Sequence, residues 1–186
     1  FLAENAIVNG TGAGQPLGIL ASPALVSVAA EALQGDTVVA ENIVHMWARR
    51  WAPGNYVWLV NQEVEQWLQM MDLPAGGAGQ LVYVPQGGFS AAPYGTLLGR
   101  PVLVSEYCQE IGTVGDIILA DLSQYYLATK GGIQEAMSIH VHFIYDESVF
   151  RFVMRVDGQP SWSSALTPFE ATAAATHSPF VALATR

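Results

Sequence analysis

Gly115-Asp116-Ile117-Ile118-Leu119-Ala120-Asp121-Leu122-Ser123-Gln124-Tyr125 is the stretch from which the fold is read. Four apolar residues stand between two aspartates. The run is short, begins with β-branched residues and shows no polar alternation, which predicts a buried strand. Asp116 and Asp121 are expected to be its solvated ends, and residues 122–129 to continue into a tyrosine-bearing segment.

Upstream, residues 56–60 form a second compact, aromatic and β-branched run, also read as a buried strand. A helix is predicted on either side of it. In the first, Val39, Ile43, Met46 and Trp47 fall at helical spacing, and Asp36 or Thr37 can cap the start. Arg49 and Arg50 lie in the last turn, where cations suit the helix dipole, and Pro53-Gly54 ends it. In the second, Asn61 is the cap, Glu63 and Glu65 sit in the first turn, and Val64, Trp67, Leu68 and Met71 make the apolar stripe. Leu73-Pro74 stops it.

At the amino end, residues 3–8 read as the end of a helix closed by Asn9-Gly10. A loop with Gly10, Gly12 and Gly14 follows, then a short strand over residues 17–20. Residues 81–84, 97–98, 101–105 and 180–184 read as further short strands, and residues 85–95 as a glycine- and proline-rich loop. Downstream lie two long alternating strands. Over residues 138–145, Ile139, Val141, Phe143 and Tyr145 share one face, with His140 and His142 on the other. Over residues 149–156, Phe150, Phe152, Met154 and Val156 oppose Arg151 and Arg155. Asp146-Glu147-Ser148 is the expected exposed tip of this hairpin, and Asp157-Gly158 its end. Two helices interleaved with short strands, then a long hairpin, make an α+β fold rather than a doubly wound parallel sheet.

Composition narrows the function. Of 186 residues, 51% are hydrophobic and only 12% charged, which excludes a disordered chain. The net charge of −9 rests on one lysine and six arginines, too few for a phosphate-neutralising nucleic-acid surface or for adhesion to an anionic membrane. Cys108 is the one cysteine, so no internal disulfide can form. Few charges and much apolar surface imply that some faces meet a partner. The chain opens without methionine, as if inside a helix, so it is expected to be a piece of a longer product.

No reactive constellation stands out, and no catalytic, cofactor or metal site is expected. The glycine loop follows a helix and lacks the lysine of a nucleoside-triphosphate loop, so a tight connection is the better reading. His140 and His142 face the same way, but no carboxylate has matching spacing and Arg151 and Arg155 would repel a cation. Cys108 lies among Glu106 and Glu110, which blunt a thiolate. His45 reads as a packed helix histidine. The helix tryptophans Trp47 and Trp67 read as core, and Trp162, on the tail of the hairpin, as the tryptophan most apt to meet a neighbouring chain.

The residues carry a resemblance. Residues 4–12 (ENAIVNGTG) with 15–20 (QPLGIL), the Trp58-Leu59-Val60-Asn61 strand end, residues 98–106 (LGRPVLVSE), residues 115–125 and residues 150–158 with 179–183 are similar, in order, to the shell domain of tailed-phage major capsid proteins of the Hong Kong 97 type. The resemblance implies that fold, with a peripheral domain from residues 1–28 and 131–186 and an axial domain from residues 29–130. It implies a structural subunit, not an enzyme, that self-assembles into an icosahedral phage or prophage shell around packaged DNA. It places Asp146 and Glu147 where subunits meet at three-fold positions, so these two and Trp162 are the candidate intersubunit contacts. The amino-terminal arm, extended loop and most of the spine helix of that family would precede Phe1. The partners implied are copies of the chain, and a scaffold or maturation protease acting on that preceding region. No sequence-specific nucleic acid, membrane or cofactor is implied. The location implied is the virion, after synthesis in the bacterial cytoplasm. Alternatives are the shell of a cellular nanocompartment and a small-ligand-binding module with a cleft near residues 85–95.

Overall fold

A computed structural model describes residues 2–31, 34–73, 80–81, 95–170 and 175–186. The strand read first is present as β7, Ile117–Ala120, and every residue in it is buried. It lies in a mixed six-stranded sheet whose order is β1-β12-β7-β2-β6-β5, with β1 Val26–Val28, β2 Val57–Val60, β5 Thr96–Leu97, β6 Arg100–Val104 and β12 Phe180–Leu183. β7 runs antiparallel to both β2 and β12, while β1 and β12, and β2 and β6, are parallel pairs. Successive side chains leave a strand on opposite faces. Ile117 and Leu119 therefore enter one core with Trp58, Val60, Val181 and Leu183, and Ile118 and Ala120 enter a second with Phe180 and Ile19. Burial on both faces explains why β7 shows no polar alternation.

Helices α2, Ala40–Ala48, and α3, Gln62–Met70, supply Ile43, Met46, Val64 and Leu68 to the first core. Asn61 caps α3 as expected, its side chain accepting from the Glu63 N–H at 2.9 Å. The start of α2 differs from expectation. The helix begins at Ala40, and neither Asp36 nor Thr37 caps it; the buried Asn42 reaches back to the Val39 N–H at 3.1 Å. Arg49 follows the last turn instead of lying in it, and its guanidinium bonds Thr176. His45 is exposed and pairs with Glu31 at 3.0 Å, so it is not a packed core histidine.

Helix α1, Leu2–Asn9, covers the second core, contributing Val8. Residues 17–20, expected as a strand, are instead a hook that takes up the helix's last carbonyls. Ile19 and Leu20 donate to Ile7 and Val8 at 2.8 and 3.1 Å. The approach is close enough to require glycine: a Cβ on Gly10 would lie 2.0 Å from the Pro16 carbonyl oxygen.

Asp116 and Asp121 are not solvated ends. Both are buried, and each gathers donors. Asp116 accepts from the Ile117 and Gly112 N–H groups and pairs with the fully buried Arg186 guanidinium. Asp121 accepts from the Asn55 and Ser123 N–H groups and the Ser123 hydroxyl. Buried charges persist only when paired or hydrogen-bonded, and these are.

From Tyr125 the chain leaves this body as a two-stranded arm. β8, Tyr125–Thr129, pairs antiparallel with β11, Val156–Pro160. Beyond a break at residues 130–133 and 154–155, β9, Gln134–His142, pairs with β10, Glu147–Val153. Asp157-Gly158, expected to end the hairpin, lies inside β11, so the ribbon is longer than the alternation suggested. The arm's base is tied down by the Tyr125 hydroxyl donating to the Leu17 carbonyl at 2.9 Å. β3, Asp72–Leu73, and β4, Gln80–Leu81, form a small separate pair. The remainder of the expected strand over residues 81–84, and residues 85–94 of the expected loop, lie outside the described residues.

Candidate functional site

The outer ribbon of the arm packs against no core. Every residue of β9 and β10 is exposed or half-exposed. Pairing places Phe150 opposite Met137 and Phe152 opposite Glu135. Directly opposed residues share a face. The apolar sides of the two strands therefore merge into one ridge of Met137, Ile139, Phe150 and Phe152, each about half to two-thirds exposed. Beyond it, Phe143–Tyr145 does not continue the strand but makes a 3-10 turn at the tip, with Phe143 74% and Ile144 90% exposed. An isolated two-stranded ribbon is at best marginally stable in water, because it buries too little.

The sequence-predicted contact residues divide between two places. Asp146 closes the tip turn in the left-handed region, φ 55°, ψ 37°, and its N–H donates to the Phe143 carbonyl at 3.3 Å. Asp and Asn are among the few non-glycine residues that tolerate this conformation. Glu147 starts β10 opposite His142 and is exposed. Asp146 and Glu147 line a small hollow of about 130 Å³ with Ile139, Phe143 and Ser148. Trp162 is elsewhere and half-buried. Its ring stands edge-on to Trp51 with centroids 5.4 Å apart, and its Nε1 donates to the Gln124 side chain at 3.1 Å.

Sequence reasoning missed two surfaces. Phe169 is fully exposed, and no periodicity marks it. An open hollow of about 610 Å³ lies between α1, β2 and β6, lined by Ile7, Leu59, Leu103 and Leu122 with Glu4 and Glu106. Only the fold brings those residues together.

Burial, then the Asp116 charge, pushes the Cys108 thiol up to about 12, so it stays protonated. Burial, offset in part by its hydrogen bond to the Trp51 carbonyl, pushes the Tyr56 phenol up to about 12. Among the described residues no group of three His, Cys, Asp or Glu side chains is arranged to hold a metal, and no helix is long and apolar enough to cross a membrane.

Residues 2–171 match the model of a family described as the phage capsid family. Two solved structures share the fold. They are the capsid of the empty GTA particle computed with C5 symmetry, TM-score 0.71, and that of the native GTA particle, TM-score 0.68. Each is 18% identical to this chain, covering 98% of it and 60% of the other chain. The chain thus spans about three-fifths of the length of these capsid proteins. No curated protein matches it significantly.

Proposed function

Since the chain belongs to the phage capsid family, we propose that it is a structural subunit of a capsid shell, built by self-assembly around packaged DNA. The observation that carries this reading is the arm. Apolar side chains on an unsupported ribbon need a cover, and a symmetric shell supplies one from neighbouring copies. The low charge density and net −9 agree with a container that holds DNA without gripping it. The role is structural and not enzymatic, the partners are copies of itself, and the location is the particle. A scaffold or maturation protease would act on residues preceding Phe1.

The division into a peripheral domain (residues 1–28 and 131–186) and an axial domain (residues 29–130) belongs to the same proposal. It is supported by the arm leaving the body near residue 125, although β1 and β12 bring the flanking segments into the central sheet. Asp146 and Glu147, at the arm's tip, are proposed to meet neighbours at three-fold positions. Trp162 is proposed as a contact through the edge it leaves open beside Trp51.

Negative-stain electron microscopy tests the reading, on this chain and on a form extended upstream to the length of its structural relatives. Closed shells or capsomer rings are expected from the extended form. Monomers alone, even with neighbouring genes co-expressed, would overturn it.

A further inference from the structure

Asn9-Gly10 closes α1, and none of the other asparagines, Asn5, Asn42, Asn55 and Asn61, is followed by glycine. Asparagine before glycine is the pair most prone to lose its side-chain amide, because no Cβ on the second residue shields its N–H. The fold nevertheless uses both residues. Gly10 passes the Pro16 carbonyl too closely for any side chain. Asn9 is the polar joint between α1 and the turn at residues 105–109. Its Nδ2 donates to the Tyr107 carbonyl and to the Asn5 side chain, both at 2.8 Å, and its Oδ1 accepts from the Gln109 side chain at 2.7 Å.

Loss of the amide begins when the Gly10 nitrogen, stripped of its proton by base, attacks Asn9 Cγ. The N–Cγ bond forms, the Cγ–Nδ2 bond breaks, and Nδ2 leaves as ammonia after taking up the proton that Gly10 gave. Water then opens the cyclic imide at either carbonyl and leaves aspartate or isoaspartate at position 9. With α1 docked, neither reacting group is free. Gly10 is buried and its N–H donates to the Ala6 carbonyl at 2.9 Å, out of reach of base in the solvent. The three side-chain bonds hold the Asn9 amide on Asn5, Tyr107 and Gln109, so it cannot turn back onto its own main chain without breaking them.

We propose that Asn9-Gly10 is a deamidation site which the docking of α1 keeps closed, and that its conversion is a one-way release of α1 from the body. A carboxylate at position 9 has no hydrogen to give to the Tyr107 carbonyl or the Asn5 oxygen, so two donated bonds become contacts between acceptors. Isoaspartate also adds a methylene to the main chain. It does so just before the Gly10 carbonyl accepts from Gly18, and just after Ile7 and Val8 accept from Ile19 and Leu20. The reaction proceeds only from a locally opened α1, and so records how often that helix leaves the second core. It goes beyond the shell-subunit reading and does not depend on what the chain assembles into.

The test is peptide mapping by mass spectrometry after incubation in mildly alkaline buffer, with and without urea. In urea Asn9 should convert ahead of the other four asparagines. In the native chain its conversion should be at least ~10-fold slower, because it waits on local opening. Gln109→Ala removes one of the bonds that pin the amide and should raise the native rate severalfold, with hydrogen exchange in β7 reporting that the body is still folded. Should that variant unfold, Asn5→Ala, at an exposed position of α1, carries the same expectation. Asn9→Asp should speed exchange at the Ile19 and Leu20 N–H groups, which bond the end of α1, and leave β7 unchanged. Native conversion as fast as in urea, or a native rate unmoved by the folded variant, overturns the closed site. Unchanged protection of Ile19 and Leu20 in Asn9→Asp overturns the release.

Discussion

β7 and β10 are both short runs rich in Ile, Leu, Val and Phe, and they have opposite fates. In β7 all four side chains are buried, two in each core, because helices and the second hydrophobic layer cover both sides of its sheet. In β10 no side chain is fully buried, although Phe150 and Phe152 are larger than anything in β7. The same strand chemistry thus serves two ends. In the body it closes a core, and in the arm it is left exposed. The energetic consequence is that the stability of the single chain resides in the body.

The largest effect expected of a single substitution in the body is at the buried ion pair. Asp116→Ala leaves the Arg186 guanidinium without its counter-charge, and should cost about 3–5 kcal/mol in urea unfolding. Asp116→Asn keeps one acceptor oxygen, enough for the Gly112 or the Ile117 N–H but not both, and should cost less. Equal losses in the two variants would mean that the charge, which both remove, carries the whole effect and the backbone acceptor none. Next is Leu119→Ala, which opens a cavity in the first core and should cost about 2–5 kcal/mol. A loss below about 1 kcal/mol would mean that the sheet relaxes around the gap as a loosely packed surface would.

The thiol sharpens the same comparison. Burial raises the Cys108 pKa in the folded state from 9.0 to about 12. Its stabilising contribution is full below pH 9 and fades as pH rises towards 12, because the unfolded chain ionises first. Alkylation by iodoacetamide at pH 8 should therefore be slow in the native chain and fast in urea. Rapid labelling of the native form would place Cys108 on an open surface and remove the second core from the account.

Much of the body was legible in the sequence, and the reasons are local. A four-residue apolar run bounded by acids gave β7, and an asparagine before an acidic first turn gave the cap of α3. What failed depends on residues far apart in the chain. Asp116 reads as a solvated end until Arg186, seventy positions on, is folded against it. Asp36 and Thr37 look like better caps than Asn42, but a buried asparagine that bonds both Val39 and Gln34 fixes the helix start from inside. The arm is the reverse case. Its alternation was readable, yet alternation states only that one face is to be covered, and not by which chain. The hollow on the body was invisible without coordinates.

The smallest effect on the folded chain should come from the arm, and it completes the comparison. Phe150→Ser removes a large apolar side chain that is 63% exposed and contacts neither core. Substitutions of that kind usually change stability within about 0.5 kcal/mol. The urea slope should also be unchanged, since little of the surface that unfolding exposes is lost. Set beside Leu119→Ala, a strand substitution of similar chemistry, the expected difference is severalfold. If Phe150→Ser instead destabilised the single chain as strongly as Leu119→Ala, the arm would be part of the monomer's own core, and its apolar face would need no second copy to cover it.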